Sequence, residues 1–309
     1  MAWYNKNKIV DKSTIKVYNN KKYIIGNRYY NMKKVKIVAD SSADTLFRES
    51  GLFDSAPLKI ITTEKVYTDD KDLDVREMVD DLRQYSGKSS TSCPNTEDYL
   101  KCFGDADEVF CITITAALSG SYNSACLAKK QYEETYPDRK VYVINSLSTG
   151  PEMRLIIEKI EELIESGLEF DEICRDVDEY MKNTGLLFML QSMKNLANNG
   201  RVSHIAAKMA GILGIRALGK ASARGDLEML EKCRGEKRAL DSIIEQLKNL
   251  GYKGGKIRIA HCFNEEFANK VQCSLKAEFE EINVEVYNCR GLCSFYAELG
   301  GLLIGFEKI

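Results

Sequence analysis

Val109-Phe110-Cys111-Ile112-Thr113-Ile114-Thr115 runs directly into Ala116-Ala117-Leu118-Ser119-Gly120-Ser121-Tyr122-Asn123-Ser124-Ala125. The first seven residues are mostly β-branched, aromatic or apolar with little alternation, as in a strand covered on both faces of a parallel sheet. From Ser121 to Tyr136 the spacing turns helical. The hydroxyl-rich turn between them sets a glycine and free N–H groups at a helix start, an arrangement that cradles a carboxylate or another anion. An ordinary serine-capped βα loop has the same composition, so the neighbouring segments must decide.

Upstream, Val35–Ala39 reads as a strand and is followed by Asp40-Ser41-Ser42-Ala43-Asp44. Small polar residues at the carboxyl end of a strand are where open α/β sheets bind ligands. Pro57–Ile61 and Lys65–Thr68 predict two more strands, and Asp69-Asp70-Lys71-Asp72 a solvated acidic turn without the glycine and closing glutamate of a calcium loop. A helix is expected over Val75–Tyr85. Ser89-Ser90-Thr91-Ser92 then puts four hydroxyls before Cys93-Pro94, where the proline bars Cys93 from helical geometry. Asn95 or Thr96 can cap a helix running to Phe103.

Downstream, Lys140–Ile144 predicts a strand, and Glu152–Glu165 and Asp171–Asn183 amphipathic helices. Past Gly167 the alternation loosens. Strands are expected at Leu186–Leu190, Leu227–Leu230, Lys256–His261 and Val284–Tyr287, and helices at Ser192–Leu196, Gly235–Leu250 and Glu265–Glu280. A turn at Asn198–Ser203 leads into a small-residue helix to Leu213, and a glycine-rich tail, Gly300–Phe306, closes the chain. The order predicts a two-domain α/β protein: residues 34–167 as a layered α/β domain with a mostly parallel sheet, and 168–309 as a C-terminal α/β domain of α+β character. Residues 1–33 form a separate basic extension. Residues 1–34 carry nine Lys/Arg against Asp11, with Tyr4, Tyr18, Tyr23, Tyr29 and Tyr30. Ile15–Tyr18 and Lys21–Gly26 around Asn19-Asn20 read as a hairpin that packs on the body or on a neighbouring subunit; contact with an acidic partner or nucleic acid is the competing reading.

A chain of 309 residues with 44% apolar content and four prolines can bury a sizeable core and has no long disordered linker. A net charge of −2 gives no global field for nucleic acid. Ten cysteines without a CxxC pair and only two histidines exclude a zinc site of usual spacing and fit reduced thiols in a cytoplasmic protein. With no signal-like apolar region and no run of 18 apolar residues, secretion and membrane spanning are not expected.

Nucleophilic catalysis needs a base beside the nucleophile. His204 reads as a surface or capping residue, whereas His261, closing an apolar strand, reads equally as a site residue and as a satisfied core histidine. No Walker loop, GxGxxG or GxSxG elbow is present, so phosphoryl transfer by this chain alone is not expected. Hydroxyls at strand ends backed by apolar elements suit a pocket for an acidic head and a greasy tail. At about 0.8 kcal/mol per buried methylene, a long acyl chain contributes on the order of 10 kcal/mol before ordering costs. The alternative is an α/β enzyme acting on a small carboxylated or phosphorylated metabolite with His261 as general acid–base.

In order along the chain, Asp40-Ser41-Ser42-Ala43-Asp44, Pro57-Leu58, Thr91-Ser92-Cys93-Pro94, Leu118–Ala125, Asn199-Gly200-Arg201-Val202-Ser203, Gly211–Arg216 and Arg234–Ala239 resemble the DegV family. The resemblance covers roughly residues 34 to 265. It implies one long-chain fatty acid in a tunnel between two domains, its carboxylate held by hydroxyls of Thr91 or Ser92 and of Ser119 with the Gly120 amide. Ser121 belongs to the same ligand-binding turn, and Arg201 and His261 are placed near the carboxylate or a partner surface. It further implies a chain with no catalytic residue, metal or cofactor of its own, serving as the acyl-carrying subunit of a bacterial fatty acid kinase. A separate ATP-binding subunit then supplies the phosphate site; nucleic acid is not a partner, and there is room for peripheral membrane contact. The chain departs from the family pattern in its basic extension, in Ala116, in Arg216-Ala217, and in Cys289–Glu298, which lacks the usual histidine and Gly-Pro-Gly. The last departure bears on tunnel lining and acyl length.

Overall fold

The computed structural model describes residues 23–25, 28–30, 33–202 and 214–308. Strands β1 (Tyr23–Ile25) and β2 (Arg28–Tyr30) pair antiparallel with Ile25 opposite Arg28. The second arm of the expected hairpin thus pairs with the strand that follows it; Ile15–Tyr18, the first arm, lies outside the described residues, as does His204. In the body, β3 (Val35–Asp40), β4 (Phe53–Ala56), β5 (Lys59–Ile61) and β6 (Val66–Thr68) precede α1 (Val75–Gln84), β7 (Ser90–Ser92) and α2 (Thr96–Phe103). Then come β8 (Glu108–Thr113), α3 (Ser121–Thr135), β9 (Lys140–Asn145), α4 (Pro151–Glu165) and α5 (Phe170–Met181). The remainder comprises β10 (Thr184–Leu190), α6 (Lys194–Asn198), β11 (Ile215–Ala221), β12 (Leu227–Arg234), α7 (Glu236–Asn249), β13 (Gly255–His261), α8 (Glu265–Glu278), β14 (Ile282–Asn288), α9 (Gly291–Ala297) and β15 (Leu302–Glu307).

Every residue of β8 is buried, which is why its apolar positions do not alternate. It lies inside a four-stranded parallel sheet, β4-β3-β8-β9, with Ile37 opposite Phe110 and Ile112 opposite Ile144. From β3 the chain goes first to one side and then to the other, so β3 and β8 flank the switch point of this sheet. A crevice forms there beyond the carboxyl ends of the strands. β5, β6 and β7 form a separate antiparallel sheet in which Ile60 faces Thr91. The fold is thus mixed α/β, with a parallel sheet and a separate mixed one.

That mixed sheet has the order β12-β11-β10-β15-β13-β14 and is antiparallel except between β13 and β14. β10 reads as an unbroken apolar run because both faces are covered: Leu186, Phe188 and Leu190 join one core cluster, Leu187 and Met189 another. Three readings change here. The glycine-rich tail is β15, an interior strand; Gly305 is required because a Cβ there would meet the backbone of Pro151 and Glu152 at 2.5 Å. β11 and α9 are elements the periodicity did not reveal. Asp69 is not solvated but fully buried, since its carboxylate takes up the first amides of α9.

Helix α4 starts with proline at its first turn and packs against β8 of one sheet and β13 and β15 of the other. Glu158 on its buried face meets Arg258 of β13 in a fork of two bonds, 2.9 and 2.7 Å, with both side chains under a tenth exposed. Arg154 and Arg48 extend the network to Glu285 and Glu161. Burial alone would raise the Glu158 pKa, but the hydrogen bond and charge of Arg258 take it below the usual glutamate value. Glu158→Ala strands the Arg258 cation and is expected to cost about 3–5 kcal/mol in urea unfolding. The contribution is present above the unfolded-state pKa, near 4.5, and is lost as pH falls through the folded value. The wild-type advantage should therefore shrink in acid; a gap unchanged by acid counts against this ion pair.

Candidate functional site

Two hydroxyl-bearing segments, distant in sequence, reach one cavity. Thr91 and Ser92 end β7, where pairing to β5 fixes the strand. The chain then turns through Cys93-Pro94 into α2, which opens with a reciprocal capping box between Asn95 and Asp98. Leu118, Ser119 and Gly120 close the loop from β8 to α3. Gly120 lies against Cys93, whose Sγ would be 3.4 Å from a Cβ placed there. The cavity holds about 350 Å3, within the usual range of small-molecule pockets.

Its remaining wall is mostly apolar, Thr149 and Cys293 being the exceptions. Leu186, Phe188 and Leu190 project from β10, Leu292 and Ala297 from α9, and Leu303 from β15. Leu58 and Ile114 close the side of the parallel sheet. Thr91 with Tyr296, Ser92 beside Cys93, Ser119, Gly120 and Arg201 come from adjoining segments, whereas Thr149 lies against Cys293. The Ser119 hydroxyl oxygen accepts from the Ser121 N–H at 3.2 Å, which leaves the Ser119 proton free to donate. The Gly120 N–H donates to no group among the described residues. Ser92 Oγ donates to the Cys93 carbonyl at 3.2 Å. Arg201 reaches the cavity while its Nε donates to the Leu118 carbonyl at 3.0 Å and its Nη1 to the Asn199 carbonyl. The guanidinium thus ties two loops at the polar end and brings a positive charge beside it.

Thr91, Ser92, Ser119, Gly120 and Arg201 are brought together; Ser121 and His261 are not. The Ser121 side chain is fully buried, its hydroxyl 2.5 Å from Asp40 Oδ2 and 2.6 Å from the Tyr99 hydroxyl. Asp40 also accepts from the Ile114 N–H at 2.9 Å and from the Ser42 hydroxyl. Burial pushes the Asp40 carboxyl up, against the pull of these donors. Ser121 therefore anchors the turn instead of lining the cavity. His261 sits outside the lining: its Nδ1 accepts from the Asn264 N–H at 3.2 Å, at the start of α8, and burial lowers its pKa. A general base in the cavity has no support from it.

Sequence reasoning missed Tyr296. Its hydroxyl is 2.7 Å from Thr91 Oγ1, across 205 positions of chain. The only signal was its place in the stretch that departs from the family pattern, and nothing local in that stretch announces a helix that faces a cavity. Ten cysteines are free; Cys293 is buried on α9 and lines the cavity, and Cys262 and Cys289 are buried beside that helix. Among the described residues no group of His, Cys, Asp or Glu is arranged to hold a metal, and no helix is long and apolar enough to cross a membrane.

Fold and cavity together define a two-domain α/β protein with an apolar chamber, polar at one end, between a parallel sheet and a mixed sheet. The DegV family model matches residues 34–308, and the chain belongs to that family. A DegV domain-containing protein of Streptococcus pneumoniae is 41% identical over 278 residues, spanning 88% of this chain and 98% of the relative. A DegV family protein from Eubacterium eligens, solved loaded with heptadecanoic acid, superposes with a TM-score of 0.88 at 44% identity, covering 89% of this chain and all of the other. The Streptococcus pneumoniae Fatty Acid Kinase (Fak) B3 protein, solved loaded with linoleic acid, gives 0.86 at 40% identity, covering 89% and 99%.

Behind the cavity, Asp44 is buried with Oδ1 accepting the Arg290 N–H at 2.7 Å and Oδ2 unpaired. Burial first, then the charge of Asp69, raise its pKa to about 7 despite the Arg290 hydrogen bond. An acid whose folded pKa lies above its unfolded value favours folding most at low pH. Its share of stability declines as pH rises from the unfolded value, near 3.8, to about 7. Asp44→Asn keeps the acceptor for Arg290 and removes the titration. Relative to wild type, the variant should gain stability steadily across that interval; parallel stability–pH curves count against the assignment.

Proposed function

We propose that this chain binds a single long-chain fatty acid in the cavity and presents its carboxylate for phosphorylation by a separate ATP-binding kinase subunit. The observation that carries the reading is the cavity itself: a wall of Leu, Ile and Phe side chains with Thr91, Ser92, Ser119 and the Gly120 amide gathered at one part of it. Apolar burial along the acyl chain supplies the affinity, about 0.8 kcal/mol per methylene, and the Thr91 and Ser119 hydroxyls with the Gly120 amide fix the head, the Ser92 proton being held by the Cys93 carbonyl. The likeness to proteins solved with heptadecanoic and linoleic acids supports the ligand class. The kinase role draws on the resemblance to the Fak B3 protein. The chain is then a carrier with no reaction or cofactor of its own, working in the cytoplasm, where ten unpaired thiols fit a reducing compartment.

Protein expressed in a bacterial host and extracted under denaturing conditions should release close to one equivalent of fatty acid by mass spectrometry; none at all would refute the reading. Ser119→Ala removes one donor to the head and is expected to weaken oleate or palmitate binding by about 1–3 kcal/mol. An unchanged Kd takes Ser119 out of the site.

A further inference from the structure

We propose that Tyr296 is a positioning residue for the lipid head, acting through Thr91 to make the cavity prefer a carboxylate over an uncharged head of the same chain length. The proposal rests on the fatty-acid reading above. Thr91 and Tyr296 come from β7 and α9, and their oxygens are 2.7 Å apart. In such a pair one hydroxyl gives its proton to the other, and the accepting group keeps its own proton for a third partner. Burial holds the Tyr296 phenol neutral by raising its pKa, with Thr91 and Arg201 pulling the other way. A phenol is a stronger donor and a weaker acceptor than an aliphatic alcohol. The favoured order therefore runs from Tyr296 to Thr91, leaving the Thr91 proton for the cavity.

An anion at that end reinforces this order, because each donor polarises the next toward the charge. The relay also needs a fixed starting point. The Tyr296 ring packs edge-on against Phe295, with centroids 4.8 Å apart and planes at 72°, and α9 is seated by the Asp69 bonds to Gly291 and Leu292. An alcohol head both gives and takes a proton, so it is served by either direction of the pair. It gains little from a phenol that imposes one. Head selectivity is thus set by a residue that stands behind the residue touching the ligand.

The test uses delipidated full-length protein, oleate and oleyl alcohol, with binding measured by calorimetry. Tyr296→Phe keeps the ring and removes the oxygen. Expected is a five- to twentyfold loss for oleate with oleyl alcohol changed less than twofold. The double variant Thr91→Val/Tyr296→Phe should bind oleate no more weakly than Thr91→Val, since a relay through Thr91 cannot be broken twice. Equal losses for both lipids would make the oxygen a packing contact and overturn the proposal, as would full additivity of the two substitutions or no loss at all. Wild-type protein that binds neither lipid removes the fatty-acid reading itself, a result distinct from any of these.

Discussion

Asp69 takes the N–H groups of Gly291 and Leu292 at 2.8 Å each, and Asp44 takes that of Arg290 at 2.7 Å. Three consecutive amides at the start of a buried helix are thereby satisfied by two carboxylates more than two hundred residues earlier. A short helix buried at its start without partners would carry unsatisfied donors, a cost of the order of a lost hydrogen bond for each. Gly291 is part of the arrangement: a Cβ there would sit 2.7 Å from Asp69 Cγ. The Asp69 N–H donates to the Leu58 carbonyl, so the same residue joins α9 to the entry of β5. Leu58, Leu292, Tyr296 and Ala297 all face the cavity, and their common wall depends on this junction. The cost is desolvation, which raises both carboxyl groups above their ordinary values.

A third buried acid does the equivalent work at the polar end. Asp40 closes β3 and binds the Ile114 amide at the end of β8 and the Ser121 hydroxyl at the start of α3. The turn carrying Ser119 and Gly120 is suspended between these two attachments. That position is the switch point of the parallel sheet, where no strand crosses the crevice. Donors are held on strand and helix ends rather than on a free loop, so little order has to be imposed when a ligand enters. Glu158 and Arg258 complete the frame by fixing α4 to the mixed sheet.

Local pattern was enough for several elements: β8 falls where an unbroken apolar run puts it, and α3, α4 and α8 fall close to the helical spans read from the chain. The two hydroxyl-bearing segments could be picked out, but each alone reads equally as a capped loop, and only the family resemblance placed them at one cavity, which both line. The readings failed where tertiary contacts override local composition. Gly300–Phe306 reads only as a glycine-rich tail because its glycines answer to close approaches from residues outside it, Gln191 at Gly300, Ala297 at Gly301 and the start of α4 at Gly305. Asp69 looks solvated because its partners lie 222 positions away. Ser121 and Ser119 are alike in sequence and differ in role only because Asp40 claims one of them. His261 closes an apolar strand as expected, and the structure turns its ring nitrogen to the start of the next helix.

The division of labour within the cavity follows from elementary electrostatics. Burying a carboxylate fully would require a paired cation or several donors, at a large desolvation cost. Arg201 is not a free counter-ion, because its guanidinium already serves the Leu118 and Asn199 carbonyls. Thr91, Ser92 and Ser119 are only partly buried and Gly120 is exposed, whereas Leu186, Phe188 and Leu292 are almost wholly enclosed. In the proposed role, affinity resides in the acyl chain while the head stays close to solvent. A modest set of neutral donors then suffices to orient the carboxylate, and leaves it within reach of a second protein. A deep ionic clamp would bind the same head more tightly and make it useless as a substrate for another subunit.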